Sequence, residues 1–108
     1  MNQTIPLRIR YFFDAGSGVC LWAGNDEARQ RHGYAIDAQA LPLTDDTRGW
    51  LSHLIAWHDT RLDWDDPGGD SPWPDDERPR FQRAAQEGLA RLRRELPAPH
   101  FEIIDESR

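Results

Sequence analysis

The chain has 108 residues and a mass of 12.5 kDa, enough for one domain over residues 1–108 with a modest core and too short for two independent domains. An apolar fraction of 38% with five Trp, two Tyr and four Phe describes a foldable chain despite a mean hydropathy of -0.80, because the rings supply large buriable surfaces. Thirteen basic residues, all of them Arg, against nineteen acids give a net charge of -6 and a pI of about 5.0, which argues against a general binder of nucleic acid or of an anionic membrane.

From Leu7 to Phe13 the odd positions Leu7, Ile9, Tyr11 and Phe13 are apolar, and Arg8 and Arg10 alternate with them. That period of two predicts a half-buried strand, with Phe12 out of pattern. Asp14 to Gly18 supplies turn residues, and Val19-Cys20-Leu21-Trp22 resumes the apolar run, so a hairpin is the simplest join. Asn25 is placed to cap a short helix opening on Asp26 and Glu27, with Gly33 where a left-handed C-terminal residue belongs. Tyr34 to Leu43 reads as a connector with one turn after Asp37, ended by Pro42.

Thr44 is a good N-cap, and Leu51, Leu54, Ile55, His58 and Leu62 then recur at helical spacing with Trp50 and Trp57 flanking the stripe. This predicts an amphipathic helix to about Arg61. Five Pro and Gly residues between Asp63 and Pro74 punctuate too often for regular structure and predict a long loop. Phe81, Ala85, Leu89, Leu92 and Leu96 form a second helical stripe that begins near Asp76, with Pro79 in its first turn, and closes at Pro97. Gly88 lies inside that helix at a cost of about 1 kcal/mol relative to Ala, which close packing against a neighbour would offset. Phe101, Ile103 and Ile104 mark a last strand.

This order predicts a two-layer α+β fold: a three-stranded sheet, made of the N-terminal hairpin and the C-terminal strand, covered on one face by two or three helices. The last strand arrives by a long helical crossover and is expected to pair parallel to the first with a right-handed connection. Cys20 is alone, and the start Met1-Asn2-Gln3-Thr4-Ile5-Pro6 lacks the charged head and apolar run of a signal peptide. The expectation is a cytoplasmic protein without an internal disulfide and without a membrane span.

The charge is concentrated. Between Asp59 and Glu77 stand eight acids with Arg61 as the sole base, so this segment carries -7 and the rest of the chain, with twelve bases and eleven acids, carries +1. Trp64 and Trp73 lie inside it. Large aromatic anchors beside a one-sign field suit protein recognition and fast encounter with an oppositely charged partner. The competing reading is a solvated loop whose acids cap the following helix and whose Trp64 and Trp73 fold back over the core. A structureless loop of this length in a small domain favours a functional role.

Other chemistry finds little support. With Asp63 as first ligand of a calcium loop, Asp65 and Gly68 fall correctly, but the fifth position is Pro67 and the twelfth is Pro74 where a bidentate Glu is needed. His53 and His58 are five apart, which turns them about 140° from each other on a helix, and a single Cys gives no zinc spacing. No metal or cofactor is therefore expected. His58, on the apolar stripe, is expected to be a hydrogen-bonded residue at the edge of the core. Cys20 reads as an inert core thiol rather than a nucleophile, and Gly16-Ser17-Gly18 reads as a turn rather than a nucleotide loop. Glu87 and Glu95 follow Arg83 and Arg91 by four, so the Arg-rich helix face is expected to be laced by intrahelical pairs.

The runs Arg8-Ile9-Arg10-Tyr11-Phe12-Phe13-Asp14-Ala15-Gly16-Ser17-Gly18-Val19-Cys20-Leu21-Trp22, Leu54-Ile55-Ala56-Trp57-His58-Asp59, Leu62-Asp63-Trp64-Asp65 and Ser71-Pro72-Trp73 resemble small acidic bacterial immunity proteins of polymorphic toxin and contact-dependent inhibition loci. The resemblance implies a cytosolic, non-enzymatic inhibitor in bacterial competition that neutralises one cognate toxin by a tight protein-protein interaction. The expected partner-binding surface comprises Asp59, Asp63, Trp64, Asp65, Asp66, Asp70 and Trp73, and the expected partner is a cationic toxin domain. No residue is assigned a catalytic role. The alternatives are a small metal-dependent hydrolase using clustered carboxylates and a non-enzymatic structural subunit of a larger assembly.

Overall fold

In the computed structural model, which describes residues 5–108, the N-terminal alternation forms strand β1, Leu7–Tyr11. Leu7, Ile9 and Tyr11 are buried, and Arg8 and Arg10 lie on the opposite face. The expectation drawn from the residues preceding Ile5 lies outside the described residues. Strand β1 ends two residues earlier than its apolar pattern because the next two rings part company. Phe12 stacks on Trp22 at 4.8 Å, whereas Phe13 packs edge-on against Tyr11 and Phe81. The turn between the strands uses Gly16 and Gly18 at φ of 82° and 71°, a region closed to most side chains.

Strand β2, Leu21–Ala23, pairs antiparallel with β1, with Tyr11 opposite Leu21 and Ile9 opposite Ala23. Asn25 then caps helix α1, Asp26–His32: its side-chain oxygen accepts from the Ala28 amide at 3.0 Å, and its amide nitrogen donates to the Pro6 carbonyl at 2.8 Å. One side chain thus opens the helix and ties it to the start of β1. A single 3₁₀ turn, Ala38–Ala40, follows the Asp37 cap as expected.

Helix α2, Asp45–Asp59, is capped by Thr44 and ends two residues short of the expected Arg61. Helix α3, Glu77–Glu95, has Pro79 in its first turn. Strand β3, Phe101–Asp105, lies parallel to β1 with Ile9 opposite Ile103, so the sheet order is β2-β1-β3 and the first strand is central. The architecture is the α+β arrangement expected: a small three-stranded mixed sheet with three helices.

The core lies where β1 meets α2 and α3. The Tyr11 hydroxyl, fully buried, donates to the Ala85 carbonyl at 2.8 Å. A Cβ on Gly88 would stand 2.6 Å from that hydroxyl oxygen and 3.0 Å from Leu54 Cδ1, so the glycine inside α3 is what lets helix and strand approach. The close packing expected around this mid-helix glycine is present. Glu95 departs from expectation. Rather than pairing with Arg91, it reaches the N-terminus of α2, accepting from the Thr44 amide at 2.6 Å and from the Thr47 hydroxyl. Arg91 instead bonds Glu87 at 3.1 Å. Two unsatisfied donors at a helix N-terminus outcompete an exposed ion pair of small net value.

Candidate functional site

The acidic segment leaves the C-terminal end of α2 and returns into α3. Its path is set by a few side-chain ties. Asp59, half-buried, accepts from the Gly16 amide at 3.0 Å and so holds the β1-β2 turn. The Trp64 indole donates to the Asp59 carbonyl at 3.0 Å, and the Trp73 indole donates to the Thr60 hydroxyl at 2.7 Å. Ser71 donates to the Arg61 carbonyl and accepts from the Trp73 amide. The two indoles therefore fasten the stems of the loop to consecutive residues at the end of α2.

Between these ties the chain makes tight turns. The Asp66 amide donates to the Asp63 carbonyl and the Gly69 amide to the Asp66 carbonyl, each at 3.0 Å. The Asp63 carboxylate accepts from the Asp65 amide at 3.0 Å, a local bond that favours turn over helix. Asp65, Asp66 and Asp70 are exposed. Trp64 is 56% exposed although its ring edge lies against Gly16. Trp73 is half-buried with its ring 5.5 Å from Phe81. The seven sequence-selected residues thus divide. Asp59 and Trp73 are occupied with the fold, Asp63 shapes the turn, and Trp64, Asp65, Asp66 and Asp70 face outward.

Beside Trp73 lies a feature that no local pattern announced. Phe13, His58, Trp73 and Phe81 enclose a hollow of about 220 Å³ that Arg61, Arg78 and Arg108 also line. His58 is held there by ring contacts with Phe13 and Phe81 at 5.5 Å each, not by the hydrogen bond expected for it. Burial, and then the neighbouring Arg61 charge, push its pKa down, against the opposing pull of Asp59 and Asp14. The contributing residues come from four separate stretches of chain, so only a tertiary structure assembles them. The one signal in the sequence was Arg61, a lone cation in an acidic run.

Among the described residues no three His, Cys, Asp or Glu side chains converge as a metal-binding group, and no helix is long and apolar enough to cross a membrane. Burial raises the Cys20 thiol to about 12, which keeps it protonated and unreactive at neutral pH. On comparison with known proteins, a family model described as Serratia CdiI immunity protein-like matches residues 8–104. No curated protein matches the chain.

Proposed function

The chain belongs to the Serratia CdiI immunity protein-like family, and from that premise we propose that it binds and neutralises a cognate bacterial toxin through the acidic, Trp-containing surface between α2 and α3. The observation that carries the choice of surface is the charge distribution: -7 between Asp59 and Glu77 against +1 elsewhere. Exposure of Asp65, Asp66 and Asp70 beside the exposed Trp64 ring supports it. A partner with a basic face would be drawn to this field before contact, and Trp64 would supply apolar area once docked. Many toxin domains that act on nucleic acid carry such faces at their clefts, where carboxylates would stand in for phosphates. In this reading the protein acts by occupancy, in the cytoplasm and without chemistry of its own.

The test is co-expression with the product of the adjacent open reading frame, scoring rescue from growth arrest together with co-purification. Reversing Asp63, Asp65, Asp66 and Asp70 to Arg should slow association by at least about tenfold at low salt and flatten its salt dependence. Rescue and association kinetics unchanged by the four reversals would remove this surface from the interface.

A further inference from the structure

The hollow beside Trp73 is lined by three arginines, although Arg61 and Trp73 in its wall belong to the acidic segment. Arg61 sits within a segment holding eight acids, yet neither it nor Arg78 makes an ion pair with any carboxylate among the described residues. Both line the hollow. Arg108, the third, lies 3.9 Å from Asp105, at the outer limit of an ion pair. The one carboxylate in the lining is Glu106, and both its oxygens are already taken by Arg10 at 2.6 and 2.9 Å. Arg61 and Arg78 thus lack a carboxylate partner in a hollow that Phe81 and Phe13 also line.

Size limits what such a place holds. At about 220 Å³ it falls below the usual range of cofactor pockets, and it suits a group no larger than an amino-acid side chain. Guanidinium forks match the two oxygens of a carboxylate, and aromatic walls match an apolar stem. We propose that this hollow is a binding site for a carboxylate carried on a short apolar stem, supplied in the toxin complex by an acidic side chain of the partner. The source of the carboxylate rests on the toxin-docking reading above. The chemistry of the hollow does not.

A cationic partner that also presents one well-placed acid would satisfy both the acidic field and the arginine-lined hollow to which that segment contributes Arg61 and Trp73. A merely basic protein would satisfy only the field. The hollow would therefore select the cognate partner from other cationic proteins, by leaving Arg61 and Arg78 unpaired against any surface that lacks the acid.

The test uses the whole chain and phenylacetate as probe, followed by NMR. Phenylacetate should bind saturably with a dissociation constant on the order of millimolar, shifting the Trp73 indole and the Phe13 and Phe81 ring signals. The neutral phenylacetamide should bind about tenfold more weakly or worse, as should phenylacetate to the Arg61→Gln/Arg78→Gln double variant. Both arginines are exposed, so the variant should keep the melting temperature of the parent. Absence of saturable shifts, equal binding of the amide, or unchanged binding to the double variant would overturn the site. Inorganic phosphate binding as tightly as phenylacetate would overturn the role given to the aromatic walls. In the toxin complex, the double variant should dissociate about tenfold faster. Loss of phenylacetate binding with unchanged toxin dissociation would refute the partner as the source, while leaving docking on the acidic field to its own charge-reversal test.

Discussion

The junction of β1 with α2 and α3 and the acidic segment between those two helices are held by opposite means. At the junction, Tyr11, Leu54, Ala85 and Leu92 have no measurable exposure, and Gly88 has no room for a methyl group. In the segment, most side chains face solvent, and two indole hydrogen bonds, a serine hydroxyl and two short turns set the path. Packing confers stability and tolerates little change; a few directional ties confer shape and leave the surface chemistry free. A small binding protein needs both properties, and here they occupy different residues.

The contrast breaks most visibly with Leu54→Ala. Emptying that fully buried site should cost about 2–5 kcal/mol, read as a lower urea midpoint. Replacing exposed Asp65, Asp66 and Asp70 together by Asn should move stability by no more than about 0.5 kcal/mol. A comparable loss from both variants would abolish the distinction between the regions.

Gly88→Ala sharpens the same point at smaller scale. In an exposed helix this change gains about 1 kcal/mol. Here the added carbon meets the Tyr11 hydroxyl at 2.6 Å, so a net loss of about 1–3 kcal/mol is expected. A gain in melting temperature would show that the approach of strand and helix does not depend on the glycine.

The smallest effect lies at Glu95, where α3 meets the start of α2. Burial alone would raise its carboxyl, but the Thr44 amide and Thr47 hydroxyl hold it below the ordinary carboxylate range. A depressed folded-state pKa contributes stability that is complete above the unfolded value of about 4.3 and is lost as pH falls through the lower folded value. Glu95→Gln should therefore be less stable than the parent at pH 7, with the gap narrowing in acid below about pH 4. Urea denaturation of both proteins at several pH values reads it directly, and a gap independent of pH would contradict the assigned ionisation.

What the sequence revealed followed from how local its causes were. The alternation in β1, the Asn25 and Thr44 caps and the stripe of α3 are each dictated by neighbours within a turn or two, and each is present in the fold. The family resemblance was also legible, since it rests on runs spread over most of the chain. Gly88 was readable as a close approach because a mid-helix glycine demands compensation. Phe13 was not: its alternation places it on a strand, while its ring contacts reach His58 of α2 and Phe81 of α3 as well as Tyr11. Glu95 was misassigned because spacing along a helix counts only partners on that helix. Trp73 and Arg61 looked like members of one acidic surface, yet Trp73 turns inward and both help line a hollow that also draws on Phe13 and residues 106–108 from distant segments.

The paired indole ties have a consequence for how quickly and cheaply the acidic segment can be used. By clamping residues 64 and 73 to the end of α2, they remove in advance much of the chain freedom that a loose connection would surrender on association. If the proposed surface is the docking face, its carboxylates would meet a partner as a preset template, and encounter would proceed as a near rigid-body event whose rate follows long-range attraction rather than the waiting time of a searching loop.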